Sequence, residues 1–323
     1  MSHTVEKIGG TSMSNYQAVR DNIVLGSRSN DDYYMRIFVV SAYGGITNLL
    51  LEHKKTGHPG IYALFTDAED EEAWRKAIVT LRKELHAINK HLFAESDLLE
   101  KANTFINQRI DDAEKVLDNL RSLCEHGHFE LDDHLLTVRE MLASIGEAHS
   151  AWNTTQLLRR DGINARFVDF SGWKANETLP LDQVIRQTFA DIDLSSELPI
   201  VTGYAHCEEG LMATFDRGYS EMTFSRIAVI TESSEAIIHK EYHLSSADPG
   251  IVGEEQIVPI GRTNYDVADQ LANLGMEAIH PRAAKGLRQS EIPLRVKNTF
   301  EPEHSGTLIT GDYVSTTPCV EII

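Results

Sequence analysis

The chain has 323 residues, of which 41% are hydrophobic, and it carries a formal net charge of −19. This length and composition predict a folded protein of one large α/β domain or two modest ones and exclude an intrinsically disordered chain. The negative charge makes nucleic acids and anionic membranes poor partners. No apolar run approaches the roughly 20 residues of a membrane span, and three scattered cysteines suit a reducing compartment, so we expect a cytoplasmic protein.

A short apolar strand at residues 4–8 opens the chain and leads into the glycine-rich turn Gly9–Ser12, with Lys7 just before it. Paired glycines let backbone amides approach an anion closely, and a following helix adds positive potential. A lysine is a mobile point charge that suits a phosphate in transfer. The turn therefore predicts a phosphoryl-transfer site, although an ordinary strand-to-helix turn capped by Thr or Ser is the alternative. The chain contains no P-loop and no dinucleotide-binding fingerprint.

A β-α-β start follows, with helical spacing at residues 14–27 and an apolar, β-rich run at residues 36–42. The second strand ends in another glycine-rich loop, residues 41–48. In open α/β sheets, ligand-binding loops lie at the carboxyl ends of strands. Two such loops on neighbouring strands indicate a ligand site more specifically than one does, whereas the alternative is a tight turn with Asn48 as a helix cap.

The middle of the chain has helical periodicity, with apolar residues on one face of each segment. Helices are predicted over residues 67–93, 96–125 and 131–160. We interpret residues 66–135 as a helical segment inserted into an α/β domain. Cys124, His126, His128 and His134 lie where one helix ends and a surface turn follows, and we expect no metal site there. In the third helix, Glu147 beside Gly146 could bind an ammonium group, although a lone helical glutamate is ordinarily solvated.

Strand patterns return after Gly162. Strands are predicted at residues 165–169, 198–203, 236–243, 257–260, 292–297 and 306–309, with helices at 219–230 and 264–274. A loop before the first of these helices carries Arg217, and arginine binds carboxylates through two parallel N–H bonds. A phosphate loop, a glutamate for an amine and an arginine for a carboxylate together indicate an amino acid bound beside a nucleotide.

These motifs resemble those of aspartate kinases, in the amino-acid-kinase superfamily, over almost the whole chain. Seven segments carry the resemblance in order: Lys7–Ser12, Val40–Ala42 with Gly45–Asn48, Gly146–Glu147 with Ser150, Arg217–Glu221, Ser246–Pro249, Ile279–Arg282 and Val296–Phe300. The resemblance implies a three-layer α/β/α sandwich with a mainly parallel central sheet. It also implies a catalytic domain over residues 1–310, a linker and the start of a missing ACT regulatory domain at 311–323, and a homo-oligomer, a dimer.

The activity that the resemblance implies is transfer of the ATP γ-phosphoryl group, with Mg²⁺, to the β-carboxylate of L-aspartate. The product would be 4-phospho-L-aspartate, an early intermediate toward lysine and threonine. The implied catalytic residues are Lys7, Arg217 and Glu221. The implied substrate-binding residues are Ser41, Thr47, Glu147 (for the α-ammonium), Arg217 (for the α-carboxylate) and Ser220. The implied nucleotide-binding residues are Lys7, Gly9, Gly10, Thr11, Ser12, Lys240, Ser245 and Asp248.

The chain departs from the family pattern in places. Glu221 stands where the family has Asp, Tyr219 where it has Gly, and Gly250 where it has Arg, while the Lys240–Leu244 run is altered. Two alternatives therefore stay open: a non-catalytic amino-acid-binding or regulatory homologue, and a kinase for another carboxylate such as N-acetylglutamate. Glu147 argues against the latter, because an acylated nitrogen carries no positive charge. The variant motif and the acidic composition resemble the aspartate kinases encoded with ectoine synthesis.

Overall fold

A computed structural model describes residues 2–26, 28, 30–67, 72–215, 218–246, 253, 257–273, 279–314 and 316. Eight strands form one sheet: β1 Thr4–Ile8, β2 Arg36–Val40, β3 Ala165–Val168, β4 Leu198–Thr202, β5 Glu235–Lys240, β6 Arg262–Asn264, β7 Leu294–Asn298 and β8 Thr307–Thr310. Their order across the sheet is β3-β4-β2-β1-β5-β7-β8-β6. Along this order the strands β3 to β7 run parallel, and among the strands that the structure describes only the β7–β8 pair is antiparallel. The carboxyl ends of β1, β2, β4 and β5 therefore meet at one edge.

Helices cover both faces of the sheet. They are α1 Gly10–Met13, α2 Tyr16–Ala18, α3 Ile46–Leu50, α4 Ile61–Thr66, α5 Ala73–Phe93, α6 Asp97–Cys124, α7 Leu135–Arg160, α8 Leu181–Ala190, α9 Leu211–Phe215, α10 Tyr219–Ile230, α11 Tyr265–Asn273 and α12 Pro281–Gln289. A π-helical turn spans Val19–Leu25, and short 3-10 turns span Asn30–Tyr33 and Leu131–His134. Within the described ranges, no helix combines the length and apolarity needed to cross a bilayer.

The alternation of side chains along β1 shows which helices share a face. Glu6 and Lys7 are adjacent, so their side chains point to opposite sides of the sheet. Lys7 reaches Glu221 of α10 on one side. On the other side, Phe105 of α6 packs edge-to-face on Phe167, which is in register through β4 and β2 with Glu6. Helices on both faces of a mainly parallel sheet confirm the predicted three-layer α/β/α sandwich.

Most predicted elements are present, with differences at their ends. The strand predicted at 257–260 is wrong: Pro259, which has no amide to donate, makes only an isolated bridge to Ser245, and the strand β6 begins at Arg262 instead. The single helix predicted at 14–27 is divided into α2 and the π-helical turn. Among the described residues, the helices that were not predicted include α4, α8, α9 and α12. The division of the chain at residue 310 stays a prediction, and residues 317–323 lie outside the described ones.

A buried polar cluster joins the three central strands behind the carboxyl edge. Arg36 of β2 donates through Nε and Nη2 to the carboxylate of Glu6, at 2.6 and 3.0 Å, and His239 of β5 lies 2.8 Å from the same carboxylate. The guanidinium also donates to the carbonyls of Ile23 and Val24, which end the π-helical turn. Burial opposes the charge of Glu6, but Arg36 and His239 outweigh it and hold the pKa of Glu6 far below its usual range. The cluster fixes the register of β2, β1 and β5.

We expect Arg36→Met to lower the free energy of unfolding by about 3–5 kcal/mol, because the substitution leaves the buried Glu6 carboxylate without its main cation. Urea unfolding at pH 7 measures the change. Arg288→Met is the matched control, because it breaks an exposed pair with Asp266 and is expected to cost less than about 1 kcal/mol. Equal losses in the two variants would show that the buried cluster has no special role.

Candidate active site

The ammonium group of Lys7 and the carboxylate of Glu221 form a buried ion pair at the carboxyl edge of the sheet. Lys7 Nζ lies 3.0 Å from Glu221 Oε1, and each side chain is only 11% exposed. Glu221 belongs to the first turn of α10, and its other oxygen accepts the backbone amide of His280. Burial would raise the pKa of Glu221, but the cations Lys7 and Lys240 and the His280 amide outweigh it, so this pKa lies below its ordinary value. Glu221 is therefore a fixed anion.

Glu147 is a second buried carboxylate near Lys7. The hydroxyl of Ser220 donates to its Oε1 at 2.7 Å, whereas Oε2 has no hydrogen-bond partner among the described residues. Burial raises the pKa of Glu147 to about 8, against the opposing influence of Ser220, Lys7 and the nearby backbone amides of Tyr204 and Ala42. Gly203, at the end of β4, leaves room for Oε2, because a Cβ there would lie 3.0 Å from it. A buried oxygen without a partner is costly and suits a ligand donor.

Small residues allow the two glycine-rich loops and α7 to pack closely. A Cβ on Gly10 would lie 2.7 Å from the carbonyl oxygen of Ala42, and a Cβ on Gly146 would lie 2.9 Å from the Ala42 side chain. The hydroxyl of Ser150 donates to the Ser41 carbonyl at 2.8 Å, and the Gly44 amide donates to Ser14 Oγ at 2.8 Å. The loops after β1 and β2 therefore form one rigid unit with the helix that carries Glu147.

The structure brings together Lys7, Glu147, Ser220 and Glu221, which the sequence predicts as site residues. Gly9 directly precedes α1, and its amide donates to the His239 carbonyl at 3.1 Å, so it is not free for a phosphate as the sequence predicts; the amides of the first turn, which starts at Gly10, have no acceptor within the helix. Ser41 directly follows β2, and Thr47 lies in α3. The contacts of each of these residues with substrate or nucleotide stay predictions.

The structure places the predicted nucleotide-binding residues in different environments, some of them buried. Thr11 is exposed, but Ser12 is fully buried, and its hydroxyl lies 2.8 Å from that of Thr299, so only its backbone could face a ligand. Lys240 ends β5 and acts electrostatically on Glu221. The Ser245 hydroxyl is buried and donates to a neighbouring carbonyl. Arg217 and Asp248 lie outside the described residues.

Sequence reasoning missed two residues that support this site. Tyr204 is buried after β4, donates its hydroxyl to Glu140 at 2.6 Å and packs edge-to-face on Tyr219. His280 has no catalytic role in the sequence interpretation, yet its amide holds Glu221. His280 could have been found from the Ile279–Arg282 motif, which contains it. The local sequence, however, does not show which acceptor the His280 amide meets.

The site combines a buried lysine, an anion-binding turn and a carboxylate suited to an amine, on a mainly parallel sheet. The model of the amino acid kinase family matches residues 3–298, and the chain belongs to this family. The chain is 60% identical over 321 residues to "Aspartate kinase Ask_Ect" of Stutzerimonas stutzeri, covering 99% of the chain and 67% of that protein. It therefore belongs, within the family, to the aspartate kinases.

More distant relatives agree. "Lysine-sensitive aspartokinase 3" of Escherichia coli is 26% identical, covering 94% of this chain and 63% of that protein. "Aspartokinase 2, chloroplastic" of Arabidopsis thaliana is 27% identical, covering 95% of this chain and 54% of that protein. The crystal structure of E. coli aspartokinase III in complex with aspartate and ADP matches with a TM-score of 0.67 at 21% identity, over 97% of this chain and 65% of that chain, and shows a shared fold. The chain thus spans only part of the length of these relatives.

We expect Glu147→Gln to stabilise the folded chain at alkaline pH. Folding raises the pKa of Glu147 from 4.5 to about 8. Between these values the folded state binds more protons than the unfolded state, so the wild-type carboxyl group lowers the free energy of unfolding as the pH rises. Glutamine does not titrate, and the stability advantage of the variant is expected to grow by at least about 1 kcal/mol between pH 5 and pH 8.

Urea unfolding of both chains across this range measures the difference. Glu100→Gln, which changes an exposed glutamate on α6, is the control and is expected to show no comparable trend. A stability difference between Glu147→Gln and the wild type that is independent of pH would contradict the assignment of a raised pKa.

Proposed function

We propose that this chain transfers the γ-phosphoryl group of ATP to the β-carboxylate of L-aspartate, giving 4-phospho-L-aspartate and ADP. The observation that carries the proposal is the buried Oε2 of Glu147, which has no partner among the described residues and lies near the Lys7–Glu221 pair. An α-ammonium group would satisfy this oxygen, and it would favour the ionised carboxylate. The close relationship to aspartate kinases supports the same substrate.

Catalysis by this site needs positioning and charge stabilisation rather than covalent chemistry. The β-carboxylate of aspartate is ionised near neutral pH and is already a nucleophile, so no general base is required. Lys7 offsets the negative charge that gathers on the transferring phosphoryl group. Glu147 holds the ammonium of the substrate, Arg217 its α-carboxylate, and Ser220 keeps the Glu147 carboxylate in place. Ser41 and Thr47 contact the substrate or the phosphoryl group.

ATP is proposed to bind with its phosphates at the turn Gly9–Ser12 and its nucleoside along Lys240–Pro249. The α1 amides and Lys7 fit a phosphate. In the described part of the chain, no group of three His, Cys, Asp or Glu side chains could hold a metal ion. Magnesium typically keeps several waters and binds substrate phosphates. We therefore propose that Mg²⁺ enters with ATP, where it neutralises phosphate charge, and is not held by a dedicated protein cage.

The cellular setting is also a proposal. We place the enzyme in the cytoplasm as a homo-oligomer, a dimer, that supplies phosphorylated aspartate to amino-acid and ectoine synthesis. The 60% identity to Ask_Ect supports the ectoine-linked subtype. Residues 311–323 are proposed, from the motif resemblance alone, as a linker and the start of an ACT domain.

The proposed substrate is tested with a panel of acceptors. We expect the purified chain to release ADP from ATP with L-aspartate, and hydroxylamine to trap the acyl phosphate as a hydroxamate. N-acetyl-L-glutamate is expected to support no release, because its nitrogen cannot replace the charge that Glu147 needs. Product only with another acid would favour the alternative kinase. No product with any acid, combined with tight aspartate binding, would favour the regulatory homologue.

Lys7→Ala is expected to lower kcat by about 100-fold or more, because the transition state loses one fixed cationic donor. Steady-state ADP release measures kcat, and calorimetry measures whether aspartate still binds. Lys83→Ala, an exposed lysine on α5, is the matched control and should keep wild-type turnover. Near-normal turnover of Lys7→Ala would remove this lysine from the phosphoryl-transfer step.

A further inference from the structure

His280 lies in the short segment before α12, and its backbone is held in a fixed conformation. The following residue, Pro281, begins the helix and disfavours helical dihedral angles at the residue before it. His280 accordingly has φ −58° and ψ 133°. Its amide donates to Glu221 Oε2, while Glu221 Oε1 receives the Lys7 ammonium at 3.0 Å. Each oxygen of the Glu221 carboxylate is therefore bound to a different donor, and the His280 amide fixes the side that faces away from Lys7.

The imidazole ring of His280 contacts a second part of the site. A Cβ on Gly218 would lie 2.7 Å from the ring Cδ2 and 3.2 Å from Cγ, so only glycine allows this approach. The ring also packs edge-to-face on Phe215, with the centroids 5.8 Å apart. The guanidinium of Arg282 lies 5.2 Å from the same Phe215 ring. His280 and Arg282 thus hold Phe215 and Gly218, which flank residues 216–217, in place.

The same segment continues into the amine-binding residues. Gly218 is the residue before α10, and Ser220, two positions later, donates to Glu147 at 2.7 Å. Glu221 follows directly. A displacement of Gly218 would therefore move both the hydroxyl that orients Glu147 and the carboxylate that pairs with Lys7. His280 contacts both Gly218 and Glu221 at the start of α10. Because His280 is 59 residues further along the chain than Glu221, the local sequence does not reveal these contacts.

We propose that His280 is a positioning residue for the phosphoryl-transfer site, acting through its ring on Gly218 and through its amide on Glu221. The proposal rests on the proposed aspartate kinase function. His280 does not touch substrate. Its ring sets where α10 begins, which fixes Ser220 against Glu147 and Glu221 against Lys7. The residue couples binding of the amino acid to the alignment of the lysine that stabilises the phosphoryl group.

A purely structural role for His280 would have a different basis. Its Nδ1 accepts the Arg282 amide at 3.3 Å and thereby caps α12. Asparagine is a good helix cap but has no ring, whereas phenylalanine keeps a ring but cannot accept a hydrogen bond. The two substitutions His280→Asn and His280→Phe therefore separate capping from ring packing.

We expect His280→Asn to raise the KM for aspartate and to lower kcat, each by about tenfold, because loss of the ring lets the start of α10 shift. His280→Phe is expected to stay within about threefold of the wild type in both constants. Thermal unfolding of each variant measures the contribution of the helix cap. His280→Asn is expected to be more stable than His280→Phe, because asparagine caps α12 and phenylalanine does not. Wild-type constants for His280→Asn together with impaired constants for His280→Phe would overturn the proposal.

A second pair of variants tests the contact itself. Gly218→Ala places a methyl group against the His280 ring and is expected to raise the aspartate KM about tenfold. His280→Ala removes the clash together with the ring, so the double variant Gly218→Ala/His280→Ala is expected to have a KM no higher than that of the worse single variant, well below the product of the two single effects. Gly261→Ala, where a Cβ meets no atom within 4 Å, is the control and should keep wild-type constants. Strictly multiplicative effects in the double variant would overturn the proposal.

The wild-type chain separates this proposal from the proposed function. If the wild type releases no ADP with aspartate, the function itself has failed, and calorimetric aspartate binding then serves as the readout for the same variants. The acid limb of the kcat profile provides a further measurement. It is expected to move to higher pH in His280→Asn, because the shifted start of α10 carries the Glu221 carboxylate away from the His280 amide and from Lys7, so that Glu221 is protonated more readily. An unmoved acid limb in a variant with tenfold lower kcat would contradict the positioning role.

Discussion

A charged group removed from water must be paired, and this requirement determines how the candidate active site is built. Lys7 occupies the end of the first strand among two buried carboxylates, Glu221 and Glu147. It pairs directly with Glu221, which stays ionised, and it acts on Glu147 only from a greater distance, so the pKa of Glu147 remains raised to about 8. The Lys7 ammonium thus neutralises Glu221 but does not neutralise Glu147. In the proposed function, the amino-acid substrate brings the missing ammonium group.

The sheet makes this arrangement possible. Parallel strands place their carboxyl ends at one edge, so loops far apart in sequence meet there. The register of the central strands is held from behind by Glu6, Arg36 and His239, whose charges and hydrogen bonds satisfy one another away from solvent. Gly146 then lets α7 approach the loop after β2, which brings Glu147 to the edge. The polar cluster and the active site thus occupy opposite faces of the same strand.

The inserted helical segment is connected to the site through a second buried polar network. Asn89 of α5 donates to Asn103 of α6 at 3.0 Å, and its carbonyl oxygen lies 2.6 Å from His149 Nε2 and accepts from Asn153 at 2.9 Å. Burial lowers the pKa of His149 to about 3, so the ring stays neutral. The ring packs edge-to-face on Tyr43, in the loop after β2. The helical segment therefore supports the loop after β2 from outside the sheet.

The sequence by itself determined the α/β class and the long helices α5, α6 and α7, and it singled out Lys7 and Glu147 as candidate site residues, whose roles stay predictions. Hydrophobic period and glycine placement are local signals, and the motif resemblance connected them into one family. The strand predicted at 257–260 is wrong. An extended, proline-containing pattern in the sequence does not show whether a neighbouring strand is available for pairing, and here Pro259 makes only an isolated bridge. Short helices such as α9 and α12 escaped prediction because their stability comes from packing rather than from their own periodicity.

Only the tertiary structure decided which partners the site residues have. The sequence shows that Glu221 and Ser220 are adjacent, but not that one binds Lys7 and the other binds Glu147. It shows a histidine before a proline, but not that the amide of His280 meets a carboxylate 59 positions away. Such contacts depend on strand order and on close packing of helices, which no local pattern encodes. The residue types were therefore set by the sequence, and their pairing and pKa values by the fold, since both depend on burial and distance.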